Sequence, residues 1–328
     1  MTDIILDAHF DVLLDVLYFR QRGETRVLET KHLPILRSAG INAVVCSIFV
    51  KDELLPEGAL RNALDLISAL YDDVAESQQY FSVCKTAEEA EAAVEGGRIA
   101  LFLSLEGADP IGSDIFLLKI FYDLGVRLLG LTWSRRNYAA DGCPLEASDG
   151  LGSQGGLTKF GRDVVMKAQQ LGMLIDVSHL NDRGFYEVAE IMELPFIASH
   201  SNCRALCDVP RNLTDDQLGT IAHSGGIIGI NAYEPFTSLI PAERTPQRLF
   251  EHLVHLTDVV GAQHAGLGLD ICESLKSFRL DAGLGDIFRD HADAAKNFIA
   301  PIRERFSPED SAAILGGNFM RVIKQVVG

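Results

Sequence analysis

The stretch IALFLSLEGA, Ile99 to Ala108, is an almost unbroken apolar run that stops on a glutamate. A strand with one wet face alternates apolar and polar residues, whereas a strand buried on both faces reads as a continuous apolar run. Seven further runs share this character: IILDAHFDV from Ile4, INAVVCSIFV from Ile41, VRLLGLTW from Val126, MLIDVSHL from Met173, PFIASHSNC from Pro195, GIIGINAY from Gly226 and HAGLGLDI from His264. Amphipathic stretches separate them. LTKFGRDVVMKAQQLG sets Phe160, Val164, Ala168 and Leu171 on one helical face, with Thr158 as N-cap and Gly172 as the stop. TDDQLGTIAHSGG and SPEDSAAILGG also open on capping residues, the second with Pro308 in its first turn. Eight alternations of strand and helix over about 250 to 300 residues predict an α/β fold, a (β/α)8 TIM barrel, with an open doubly wound sheet as the competing architecture. No composition shift, linker or repeat divides residues 1–328, so one domain is expected.

The chain is 47% apolar with a formal net charge of −17, an ordinary globular composition with a strongly acidic balance. Nucleic-acid and anionic-membrane partners are excluded on that balance, because both need a basic surface. MTDIILDAHFD lacks the basic and apolar regions of a secretory signal, and no run reaches the roughly 18 apolar residues of a membrane span, so a soluble, cytoplasmic protein is expected. The six cysteines, at 46, 84, 143, 203, 207 and 272, form no CxxC pair and read as reduced, mostly buried thiols. The Cys203–Cys207 spacing alone is too weak to mark a metal site. The glycine-rich SDGLGSQGG, Ser148 to Gly156, reads as a surface loop, since it lacks the lysine and placement of a phosphate-binding motif.

Reading each apolar run for its exceptional residue gives a pattern. His9 and Asp11 lie in the first run, Glu106 ends the third, His179 the fifth, His200 the sixth and Asp270 the eighth. On a regular strand residues i and i+2 share a face, so His9 and Asp11 converge. All six lie toward strand C-terminal ends, where barrel active sites are built. Six ionisable groups crowded there would leave buried charge unpaired, a conflict that divalent metal resolves. The donors are too many for one tetrahedral ion and suit two ions about 3.5 to 4 Å apart sharing a carboxylate. Nitrogen and oxygen donors fit zinc, manganese or cobalt, with Zn2+ the expected cofactor. Cys272 reads as packing beside the site. Among the other histidines, 32, 223, 252, 255, 264 and 291, the pair His252 and His255 shares a helix face that reads as solvated.

These residues resemble the membrane dipeptidase (renal dipeptidase-like) family of zinc peptidases, as a bacterial-type member without a signal peptide. DAHFD resembles the family's opening DGHND, SLEGAD its bridging-glutamate strand, and GMLIDVSHL and ASHSNCRAL its two histidine strands. VPRNLTDDQL and the closing LGGNFMRV are also similar to family segments, so the match runs nearly end to end. The resemblance implies a barrel of the metal-dependent hydrolase type holding two zinc ions, with His9 and Asp11 on one, His179 and His200 on the other, and Glu106 bridging. It implies a catalytic role for Asp270, a substrate-carboxylate contact for Arg211, and a homodimer. Three positions depart from the family pattern: Phe10 stands for asparagine, Cys272 for aspartate, and Trp133 for a histidine that contacts substrate. Trp133 is accordingly the candidate substrate-contacting residue, with Asn137 or Tyr138 as possible replacements for the imidazole.

The expected function is a binuclear zinc-dependent dipeptidase acting on small dipeptides, L-Xaa-D-Xaa or L-Xaa-L-Xaa. A metal-bridging hydroxide would attack the scissile carbonyl and Asp270 would carry the proton to the leaving amine. The alternative within the same fold is an amidohydrolase for a non-peptide amide or lactone, which the aromatic Trp133 motivates. A metal-binding protein without catalysis would have no use for Asp270 beside a full ligand set.

Overall fold

The computed structural model of the chain describes residues 3–145, 155–271 and 285–328. Among these residues the strands are β1 (Leu6–Phe10), β2 (Ala43–Phe49), β3 (Phe81–Val83), β4 (Ile99–Glu106), β5 (Val126–Gly130), β6 (Leu174–Asp176), β7 (Ile228–Ile230) and β8 (Ala265–Leu267). Seven of them pair in parallel in the order β6-β5-β4-β2-β1-β8-β7. Every residue of β2 and β4 is buried, as the continuous apolar runs require.

The ends of this path are joined by the segment expected as the sixth strand. PFIASHSNC does not form one; it makes isolated parallel bridges, Ile197 to Asp176 and Ala198 to Ile228. Ile197 N–H donates to Ile175 O at 2.9 Å, and Ala198 N–H to Ile227 O at 3.0 Å, so the segment still lies as a stave between β6 and β7. The ladder stops early because Pro195 has no N–H and because side chains take over beyond Ala198. Ser199 N–H donates to Asp176 Oδ1 at 2.9 Å and His200 N–H to Ser178 Oγ at 3.1 Å. With this stave the sheet curls into the eight-membered ring of a (β/α)8 TIM-type barrel. β3, unforeseen in the sequence, pairs with β4 outside the ring.

Alternate residues of the staves, among them Leu6, Ala43, Phe102, Leu174 and Ile227, form a buried cluster inside the barrel with Phe319. Phe319 enters from the helix Asn318–Val326, and a Cβ on Gly266 would lie 2.4 Å from its ring. The helix Lys159–Leu171 starts on Thr158, whose Oγ1 accepts from Gly161 N–H at 2.9 Å, and ends on Gly172 at φ 73°. Thr214 begins the helix Asp215–His223 with a reciprocal cap to Gln217. Ser307 Oγ accepts from Asp310 N–H at 3.0 Å, with Pro308 in the first turn. No helix among the described residues is long and apolar enough to cross a membrane.

One irregularity decides the site. Along β1, Asp7 lies opposite Val44 but Phe10 lies opposite Cys46, so three steps on β1 match two on β2. The extra residue is a β-bulge, which inverts the alternation of side chains past it. Ala8 belongs to the interior cluster, and His9, its immediate neighbour, reaches the interior as well.

Candidate active site

The bulge in β1 aims His9, and Asp11 follows directly after the strand at the start of the helix Val12–Arg20. Glu106 is the last residue of β4. His179 and Asp270 adopt left-handed backbone, φ 66° and 54°, a conformation that costs free energy for residues with a Cβ and clusters at functional sites.

The six groups meet at the C-terminal mouth of the barrel. His9 Nε2 lies 3.6 Å from Glu106 Oε1, 3.8 Å from Asp270 Oδ1 and 3.9 Å from Asp11 Oδ1. His179 Nε2 lies 3.1 Å from the same Glu106 oxygen and 2.9 Å from His200 Nε2, which is itself 3.9 Å from Glu106. The His9 and His200 ring centroids lie 3.8 Å apart, with the planes tilted by 32°. Glu106 Oε1 thus faces all three imidazoles, while Oε2 accepts from Ser47 Oγ at 2.9 Å.

Burial dominates the electrostatics. It pushes His9 down to about 3, helped by the positive charge of Arg211, and holds His179 and His200 well below the ordinary histidine value. Burial first, then Asp11 and Asp270, holds Glu106 well above the carboxylate range; burial and Asp11 do the same to Asp270. His9 Nε2 is buried and meets no hydrogen-bond partner among the described residues. Neutral imidazole nitrogens facing carboxylate oxygens make a donor set that fits a divalent, zinc-class cation. Two triads bring ligand atoms within 4.8 Å of one another, His9–Glu106–His200 and His9–Asp11–Asp270, and they share His9.

Arg211 is buried beside the cluster. Its Nη1 donates to Ser201 Oγ at 3.1 Å and Nη2 to His200 O at 3.0 Å, with the guanidinium 5.4 Å from the Phe236 ring. Trp133 is half-buried next to His179, ring centroids 5.8 Å apart, with Phe49 at 5.4 Å on another side. Asn137 does not fill the place of an imidazole: its Nδ2 donates to Leu131 O at 2.8 Å and its Oδ1 accepts from Ala139 and Ala140. Tyr138 is exposed.

The histidine expectation needs correction, whereas the cysteine expectation holds for the described residues. His252 is fully buried rather than solvated, its Nδ1 accepting from Cys203 N–H at 3.1 Å and its Nε2 donating to Thr237 O at 2.9 Å. His255 pairs with Asp215 at 2.8 Å. Cys46, Cys84, Cys143, Cys203 and Cys207 are free and buried. Cys272 and residues 148–154 of the glycine-rich loop lie outside the described residues.

A set of supporting residues escaped the sequence analysis. Ser47 holds Glu106, Ser134 Oγ meets His179 Nδ1 at 2.8 Å, Ser199 Oγ meets His200 Nδ1 at 2.6 Å, and Asn231 Nδ2 donates to Asp270 Oδ2 at 3.0 Å. Asp7 Oδ1 accepts from Leu269 N–H at 2.8 Å, and Oδ2 from His291 Nε2 at 2.9 Å. Asp7 and Asp176 did carry a signal, since each is an acidic residue inside an apolar run.

The family model described as membrane dipeptidase (peptidase family M19) matches residues 1–327. A crystal structure of a dipeptidase of family M19 superposes with a TM-score of 0.87 at 27% identity, covering 100% of both chains. A metallopeptidase from Rhodobacter sphaeroides, solved with a phosphinate mimic of the dipeptide L-Ala-D-Ala, superposes with a TM-score of 0.87 at 26% identity over 99% of this chain and 100% of its own. An uncharacterised dipeptidase of Schizosaccharomyces pombe is 27% identical over 98% of this chain and 80% of its own length. A match spanning the whole barrel and every residue gathered at its mouth leaves one assignment: the chain belongs to the membrane dipeptidase family, peptidase family M19, and is a metallodipeptidase.

Proposed function

We propose that the site holds two zinc-class ions and hydrolyses dipeptides bearing a free C-terminal carboxylate. The observation that carries this is the convergence of three imidazoles on one oxygen of Glu106, with His9 Nε2 buried and without a hydrogen-bond partner among the described residues. His9 and Asp11 would hold one ion, His179 and His200 the other, and Glu106 both. Bound there, the ions supply Lewis acidity and an activated water.

The protein's own residues do the rest. Arg211 fixes the substrate carboxylate by charge-assisted hydrogen bonds, and its two contacts with Ser201 and His200 O keep the guanidinium at the metal ligands. Asp270 takes a proton through Oδ1 and returns it to the leaving amine, while Asn231 holds its Oδ2. Trp133 and Phe49 form an apolar wall beside His179 that lines the substrate's path. The Rhodobacter relative's ligand, a mimic of L-Ala-D-Ala, supports tolerance of a D-residue at the second position. The same aromatic wall favours a second reading, hydrolysis of a non-peptide amide or lactone. Five free, buried cysteines suit a reducing cytoplasm, and the homodimer implied by the family resemblance remains part of the proposal.

The test compares wild type with Glu106→Ala for metal content per chain and hydrolysis of L-Ala-D-Ala and L-Ala-L-Ala. Two ions in the wild type, lost with activity in the variant, support the proposal. Cleavage of lactones or cyclic amides alone, with the ions bound, selects the second reading.

A further inference from the structure

We infer that Asp176 and Ser199 form a proton-ordering relay that fixes the tautomer of His200 and thereby its readiness to bind metal. This rests on the proposal that His200 is a ligand. Ser199 Oγ lies between two partners, His200 Nδ1 at 2.6 Å and Asp176 Oδ2 in a short contact. The other oxygen of Asp176 accepts from Ser178 N–H at 3.0 Å and Ser199 N–H at 2.9 Å, so this carboxylate is held by acceptor contacts on both sides.

A serine hydroxyl has one hydrogen to give. In the hydrogen bond between Ser199 and Asp176, Ser199 Oγ donates and Asp176 Oδ2 accepts. The Ser199 hydrogen therefore goes to Asp176, and Ser199 Oγ accepts from His200. His200 then carries its ring proton on Nδ1, and the lone pair of Nε2 faces Glu106 and His179. Ser178 Oγ fits the same order: it accepts from His200 N–H and can donate to Ser199 Oγ at 3.4 Å.

The device sits where strand pairing is weakest. The stave carrying His200 has only isolated bridges; backbone bonds to Gly229 flank residues 199 and 200 on the β7 side, but on the β6 side side-chain acceptors take the place of the ladder. Asp176, the last residue of β6, replaces the ladder with side-chain hydrogen bonds and orders the proton in the same stroke. His179 differs: its Nδ1 meets Ser134 Oγ, and among the described residues no carboxylate contact of that serine is seen, so no carboxylate orders that hydrogen bond. Asp176 and Ser199 are positioning residues, acting through His200.

Imidazole nitrogen NMR on the metal-stripped protein reads the tautomer directly, and zinc titration against a chromophoric chelator reads the affinity. Wild-type His200 is expected in the Nδ1–H form. Ser199→Ala should release it toward the Nε2–H form and weaken zinc binding about 10- to 100-fold, with Ser199→Thr restoring both. Circular dichroism and thermal melting establish that each variant is folded, and Ser199→Thr keeps the test decisive if Ser199→Ala is not. An Nε2–H tautomer in the wild type overturns the relay. So does zinc affinity unchanged in folded Ser199→Ala. A wild type with the Nδ1–H tautomer that binds no zinc overturns the proposed metal centre, and with it the relay's purpose, while leaving the proton order itself established.

Discussion

Asp270 presents its two oxygens to different neighbours, Oδ2 to the Asn231 amide and Oδ1 toward His9 Nε2 at 3.8 Å. Asp270→Asn keeps the shape and removes the proton acceptor, so kcat should fall by about 10²- to 10⁴-fold with metal content unchanged. Turnover near the wild-type value with both ions bound would refute the proton-carrier role. Arg211→Lys loses the fork that spans Ser201 Oγ and His200 O, and a lysine cannot meet a carboxylate at two points. Loss of one charge-assisted bond is worth about 1.5 to 3 kcal/mol, or about 10- to 100-fold in kcat/KM, and it should appear mainly as a raised KM. An equal fall in kcat with KM unchanged would place Arg211 in the chemical step. Residues of this kind differ in how openly the sequence displays them. An ionisable group that ends an apolar run breaks a pattern, which is why His9, Asp11, Glu106, His179, His200 and Asp270 stood out. Ser47, Ser134, Ser199 and Asn231 are neutral residues of types common at strand ends, so only their partners reveal them. Asp7 and Asp176 broke the same pattern but lie within three residues of a histidine that drew the attention.

Among the elements, those built from local signals were visible in the sequence and those built from pairing were not. Thr158, Thr214 and Ser307 cap helices as their sequence context requires, because a cap needs only the next three residues. The β1 bulge has no such mark, since it exists only relative to β2. His9 and Asp11 do converge, but not by the regular alternation that predicted it: the bulge turns His9 inward beside Ala8, and Asp11 lies past the strand at the cap of the helix Val12–Arg20. β3 is as short as β6, β7 and β8, but only one of its three residues is fully buried, so it lacks the continuous apolar run that marks the others. The stave at 196–198 depends on small neighbours: a Cβ on Gly268 would lie 1.7 Å from Ser199 O, and one on Gly229 2.0 Å from it. Gly268→Ala should therefore cost about 1 to 3 kcal/mol and weaken metal binding by displacing the Ser199–His200 corner. Gly219, inside the helix Asp215–His223, has nothing among the described residues within 4 Å of its added Cβ, and Gly219→Ala should stabilise by about 0.5 to 1 kcal/mol. Urea denaturation of both variants checks the contrast, and a neutral Gly268→Ala would mean that the stave can shift at no cost.

Across the whole molecule the alternation of strand and helix is a local property, whereas closure of the ring is not. Asp7 near the start bonds His291 near the end, and Phe319 fills the barrel floor, contacts that no sequence window spans. The same packing makes stability depend on pH at a distance from the active site. His252 joins the helix Pro246–Val260 to the segments carrying Cys203 and Thr237, and it does so as a neutral ring, with Nε2–H donating and Nδ1 accepting. A second proton would put a donor on Nδ1 opposite the Cys203 N–H. Burial accordingly lowers the His252 pKa from 6.5 to about 4. In the unfolded chain this group binds its proton near the ordinary value, so between these two limits the unfolded state holds more protons than the folded state. Stability from this group is thus complete above pH 6.5 and lost as pH falls toward 4, by about 3 kcal/mol at most. Glu106 and Asp270, held above their ordinary range, act in the opposite sense in metal-free protein, so the total profile does not isolate His252. The difference between the urea-denaturation profiles of wild type and His252→Gln does. That difference should be constant above pH 7 and shrink as pH falls from 6.5 toward 4, because only the wild type has this histidine to protonate. A difference that stays constant down to pH 4 would show that His252 accepts its proton in the folded barrel as readily as in the unfolded chain.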